Sequence, residues 1–123
     1  MPHNNVNSAK AYYQALNDKN LPMAAEFLHP DITLVSPLGT LKDKDAVINS
    51  LKPFTDLFNA LTIRAAMGSG DQVMLTCDLD CPAPMGLFKT AILLTFKEGL
   101  IYSSELFYDG RPLEKKKDTL FNQ

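Results

Sequence analysis

The stretch "SSELFYD", residues 103–109, sets a carboxylate among hydroxyls and aromatic rings. Side chains alternate along a strand, so Ser103, Glu105 and Phe107, with Asp109 next in step, share one face. A carboxylate on a buried face loses its water, which disfavours the charged form and moves its pKa toward neutrality, where it can take and return a proton. Glu105 is therefore the first candidate acid–base residue. Asp109 stands beside it as a second, although its place before Gly110 also suits a turn. Tyr12, in "AYYQALN", offers a phenol that could donate to a ligand carbonyl or, as a core tyrosine, to a backbone group. Its neighbour Tyr13 lies one residue round the helix and reads as packing.

Other reactive side chains lack the company that chemistry needs. Ser36, in "DITLVSPLG", has no G-x-S-x-G elbow and makes no nucleophile pair with His29. His29 precedes Pro30-Asp31 at an expected helix end, where a cationic side chain suits the dipole, and His3 belongs to a frayed start. Cys77 and Cys81 sit four residues apart on one strand face, roughly 13 Å at about 3.3 Å per residue, well beyond the about 7 Å a disulfide allows. They also lack the close spacing and paired histidines of a zinc site. The expectation is two reduced, inward-facing thiols, with no metal and no cofactor.

The elements that must position these groups change period midway. "NSAKAYYQALNDKN" places Ala9, Tyr12, Tyr13 and Leu16 at helical spacing behind the caps Asn7 and Ser8. Pro22 opens a second short helix carrying Ala24, Phe27 and Leu28. "DITLVSPLG" is a strand with Ile32, Leu34 and Ser36 on one face. Asp43 then caps a third helix with Val47, Leu51, Phe54 and Phe58 on one stripe, and Pro53 predicts a kink or break in it. From residue 61 onward the pattern is strand and turn. "LTIRAAM" leads to Gly68-Ser69-Gly70-Asp71, and "QVMLTCDLDC" alternates Val73, Leu75, Cys77, Leu79 and Cys81 inward against Met74, Thr76, Asp78 and Asp80. "LFKTAILLTF" and "LIYSSELFY" follow, then the polar tail "DGRPLEKKKDTLFNQ", in which "EKKK" reads as solvated. Helices before a strand meander describe an α+β domain.

The bulk numbers agree with one such domain over residues 1–123, its core about 7–110. The chain has 123 residues, 46% of them hydrophobic and 21% charged, with net charge −2. That balance excludes the basic footprint of a nucleic-acid partner. No apolar run approaches a membrane span, and "MPHNNVNSAK" lacks the pattern of a signal peptide, so the expected compartment is the cytoplasm.

The run 11–39, "AYYQALNDKNLPMAAEFLHPDITLVSPLG", resembles the nuclear transport factor 2-like superfamily, especially its ketosteroid isomerase and SnoaL-like polyketide cyclase branches. The shared pattern is an aromatic on helix one, "ALN" before a turn, an apolar second helix, an aspartate opening the strand and a Pro-x-Gly closing it. The resemblance implies a cone-shaped curved antiparallel sheet with three helical segments packed on its concave face. It further implies an apolar small-molecule cavity and a homodimer through the outer sheet face, where Leu93 and Met74 point. By the same resemblance the pocket is lined by Ile32, Leu34, Ser36, Leu94, Ser103 and Phe107, with Tyr12 and Glu105 inside. Tyr12 matches the isomerase tyrosine, but Ser36 stands where the carboxylate base belongs and Leu94 near the place of the protonated aspartic acid. Losing a base removes typically about 10²–10⁴ of rate and an oxyanion donor about 10²–10³, so ketosteroid isomerase activity is not expected. The epoxide-hydrolase branch needs an Asp-Arg-Asp set that Arg64 and Arg111 do not supply. Two readings follow: an isomerase, cyclase or hydratase using Glu105 or Asp109 beside Tyr12, or a non-catalytic ligand-binding or dimerisation module.

Overall fold

The computed structural model describes residues 4–116; His3 and Lys117 of "EKKK" lie outside the described residues. Helix α1 spans Asn5–Asn17. It begins earlier than the sequence caps suggest, because the Asn4 carboxamide accepts from the Asn7 N–H at 3.1 Å. Its buried stripe is Ala9, Tyr12, Tyr13, Ala15 and Leu16. The short α2, Leu21–Ala25, carries Pro22 in its first turn and is capped by Asn20. Strand β1, Leu28–Ser36, turns through Pro37-Leu38 into β2, Gly39–Lys42. His29 therefore lies in a strand, not at a helix end; its Nδ1 accepts from the Asp31 N–H at 3.0 Å and its ring meets Tyr102 edge-on.

Helix α3, Lys44–Thr55, runs through Pro53 without the expected break. The proline falls in the last turn, where few helical residues remain to be disturbed. Phe58 lies beyond the helix end but still packs edge-on against Phe54, with ring centroids 5.4 Å apart. Lys19, at positive φ after α1, donates to the carbonyls of Thr55 and Phe58, and so closes the open end of α3. Its ammonium also stands over the Phe58 ring at 4.1 Å.

Four long strands complete the domain: β3 Ala60–Ser69, β4 Gln72–Asp80, β5 Leu87–Lys97 and β6 Leu100–Phe107, followed by a 3-10 turn at Arg111–Lys116. They form one sheet in the order β2-β1-β6-β5-β4-β3. Each pair is antiparallel except β1 with β6, which runs parallel, as the long connection between these strands allows. Alternation in β4 buries Val73, Leu75, Cys77 and Leu79 and turns Met74, Thr76 and Asp80 out. Cys77 and Cys81 are both free and buried.

Strand β6 changes phase. Thr95 pairs with Ser103 but Phe96 pairs with Ile101, so Tyr102 is an extra residue in the ladder. Such a bulge reverses which side chains face in. Ile101 is buried before it; after it the inward set is Ser104, Leu106 and Tyr108.

Asp43 sits at φ 74°, ψ 158°, while its carboxylate accepts from the Ala46 N–H at 2.9 Å to cap α3. That backbone region is almost reserved for glycine and costs other residues about 1–3 kcal/mol, whereas a cap changed from Asp to Gly loses only a few tenths. Asp43→Gly is expected to raise stability by about 1 kcal/mol and Asp43→Ala to lower it by about 1 kcal/mol. Urea unfolding of the two variants measures both, and a loss in each would show that the strain is relieved elsewhere.

Candidate functional site

Between the helices and the concave face of the sheet lies a cavity of about 70 Å³ that opens to solvent. Helix α1 supplies Tyr12, Tyr13 and Leu16, and α3 supplies Ser50, Leu51 and Phe54. The sheet contributes Leu34 from β1, Leu61 from β3, Cys77 and Leu79 from β4, and Phe88, Thr90 and Ile92 from β5. The post-bulge residues Ser104, Leu106 and Tyr108 complete that wall. At the rim stand Met85, from the connection between β4 and β5, and Leu113, from the 3-10 turn. Leu113 is 4% exposed, so the start of the tail packs into the domain.

The polar groups in this wall are hydroxyls and one thiol. Burial pushes the Tyr13 phenol well above its ordinary pKa, reinforced by Tyr12 and Cys77, while a hydrogen bond with Ser104 acts weakly the other way. Burial alone raises Tyr12. Tyr108 is raised by burial and partly restored by Ser36, whose hydroxyl also donates to the Gly39 carbonyl and accepts from the Leu38 N–H. Cys77 is pushed up to about 11 by burial, with Asp78 adding to it. All four groups are neutral across the physiological range. They can donate or accept a hydrogen bond but cannot serve as a base at neutral pH.

The structure separates the residues that the sequence groups together. Tyr12 and Leu34 are in the cavity wall. Ile32 and Leu94 point inward but lie in the filled core, at 1% and 0% exposure, and do not border the open space. Ser36 ends β1, where its hydroxyl bonds to Gly39 and Leu38 across the β1–β2 turn, and it does not border the open space.

Glu105, Ser103 and Phe107 are not in the cavity. The bulge at Tyr102 puts them on the outer face, where Glu105 stands in a cross-strand row Met67, Met74, Leu93, Glu105, Val35, Thr40. Phe107 is 46% exposed. Asp109 is also outside: its carboxylate takes the Arg111 guanidinium in a two-point pair at 2.9 and 2.6 Å and accepts from the Arg111 N–H. These hydrogen bonds hold it down to about 2.

The residues that sequence reasoning missed are Tyr13, Ser104 and Tyr108. The inward apolar positions of β6 switch from odd, Ile101, to even, Leu106, which signals a bulge, but the exposed Phe107 masks that switch. Among the described residues, no group of three His, Cys, Asp or Glu side chains is placed to hold a metal ion. No helix there is long and apolar enough to cross a membrane.

With this geometry in view, the comparisons are consistent with one another. The SnoaL-like domain family matches residues 9–104. An NTF2-like protein of Cytophaga hutchinsonii superposes with a TM-score of 0.78 at 20% identity, over 92% of this chain and 96% of that one. A de novo designed protein with a curved β-sheet gives 0.86 at 15% identity, covering 99% and 98%. TerC, co-crystallised with polyporic acid, gives 0.75 at 16% identity, covering 93% and 98%. Among curated protein sequences, none matches the chain. At these identities the solved structures establish the fold.

Proposed function

The chain belongs to the SnoaL-like domain family, and from that premise we propose that it is a small-molecule-binding protein that holds an apolar ligand in the cavity without acid–base catalysis. The observation that carries this is the cavity wall itself: extensive apolar surface, a few hydroxyls, and neither a carboxylate nor an imidazole among the described lining residues. Concave apolar space with sparse polar groups is the usual form of a ligand site. A base or acid working near neutrality is the part missing from it, since the two carboxylates on or just after β6 lie outside. TerC, of like fold, was co-crystallised with polyporic acid, which is in keeping with a small-molecule occupant here.

The outer face supports a second part of the same proposal, a homodimer. Met67, Met74 and Val35 are 67%, 37% and 38% exposed in one row, with Phe107 alongside. Exposed apolar rows of this kind mark contact surfaces. Glu105, in the middle of the row, would then sit within the interface, not at a reaction centre.

Native mass spectrometry tests both parts together. The expected spectrum has a species at twice 13.6 kDa that carries a co-purifying small molecule, and Thr90→Phe, which fills the cavity wall, should lose the molecule but keep the dimer. Protein that binds neither a co-purified ligand nor an added apolar fluorophore would refute the binding function. A spectrum of monomer alone at micromolar concentration would refute the dimer.

A further inference from the structure

The cavity offers a ligand hydrogen bonds but no charge. Its titratable lining groups are Tyr12 and Tyr13 from α1, Cys77 from β4 and Tyr108 just after β6, all neutral when protonated. The lining residues from α3, β1, β3 and β5, and Met85 and Leu113 at the rim, bring no ionisable side chain. Charged residues on the sheet are turned away or already engaged. Asp80 and Lys89 are exposed, Asp78 faces Arg64 at 3.7 Å, Glu105 is on the outer face and Asp109 is held by Arg111. Lys19, the cation on the loop after α1, spends its donors on the carbonyls of Thr55 and Phe58.

The hydrogen-bonding groups of the wall are neutral hydroxyls and one thiol, of which Ser50 and Thr90 already donate to the carbonyls of Val47 and Cys77. Neutral donors with no cation beside them do not offset the cost of taking an anion out of water.

We infer that the site selects its ligand by protonation state, accepting the neutral form of a phenol, enol or ring alcohol and rejecting the conjugate base. This rests on the cavity being the ligand site and adds the chemical class of what enters. A weakly acidic ligand bound there keeps its proton at pH values where the free molecule has lost it, so binding couples to proton uptake. The hydroxyls of the cavity wall are the groups that meet the ligand oxygen.

4-Nitrophenol and its methyl ether, 4-nitroanisole, form the testing pair. The first ionises near neutrality with a large change in absorption, and the second cannot ionise. With the wild-type protein, nitrophenol should bind with the absorption of the neutral phenol, and its affinity should fall about tenfold per pH unit above its own pKa. Nitroanisole should bind equally well across the same range. A bound phenolate band, or nitrophenol affinity that holds or rises with pH while nitroanisole binds, would overturn the inference and leave the ligand-binding reading in place. Failure of both probes to bind would overturn the two together.

Discussion

Leu79→Glu is expected to destabilise the protein by several kcal/mol at pH 7 and to recover much of that loss in acid. Leu79 is 2% exposed, pairs across the sheet with Leu61 and Phe88, and borders the cavity. A carboxylate there meets apolar carbon and neutral hydroxyls, so ionisation is penalised and its folded pKa lies above the unfolded value of about 4.3. Between the two pKa values the folded protein holds a proton that the unfolded chain has released, and stability falls as pH rises. The penalty is complete above the folded pKa and disappears below about 4.3, where both states are neutral. Leu79→Gln supplies the comparison, since it has the shape and polarity without the charge. Denaturant unfolding of both variants from pH 4 to 8 should give diverging curves. Parallel curves would mean that a cation or water reaches the wall, and the charge-free cavity would no longer stand.

Leu75→Ala is expected to cost about 2–5 kcal/mol, the range found when a large buried aliphatic side chain is removed and the site collapses only in part. Leu75 is fully buried in β4, between Ala66 on β3 and Ile92 on β5. For a domain of this size the midpoint of thermal unfolding should drop on the order of 10 °C. Leu87→Ala, at a residue 59% exposed at the start of β5, should change stability by no more than about 0.5 kcal/mol. Calorimetry of the pair separates burial from hydrophobicity as such. Equal losses would contradict the assignment of the inward face of β4.

These two positions also show how far local pattern reaches. Alternation from Val73 to Cys81 is unbroken, so in β4 the row chosen by hydrophobicity and the row facing the helices are the same. A slip by one residue would bury Asp78 and Asp80, and this energetic gap made the strand legible. The cap at Asp43 and the proline opening α2 are local in the same sense, since backbone geometry and one side chain settle them. The α+β order, and the run from Ala11 to Gly39 that resembles the family, were likewise readable along the chain.

The cavity wall was decided elsewhere. Glu105 and Leu106 are adjacent, and either phase of "SSELFYD" places a hydroxyl and a ring on each face, so hydrophobicity does not choose between them. The choice is made by the extra residue at Tyr102 in the ladder of β6 with β5. Pairing across the β5–β6 hairpin carries that shift, and a single inserted residue moves a carboxylate from one face to the other. Tyr13 entered the site for a similar reason, since how α1 lies on the sheet brings both adjacent tyrosines to the cavity. Sequence by itself determined most helices and strands, though not β2 or the start of β1 at Leu28, and most of what is buried, because those follow from neighbours along the chain. Tertiary structure alone decided that the open space is lined by neutral hydroxyls and a thiol, with the carboxylates outside, because that depends on where the β5–β6 ladder takes up one extra residue, which alternation along a single strand does not reveal.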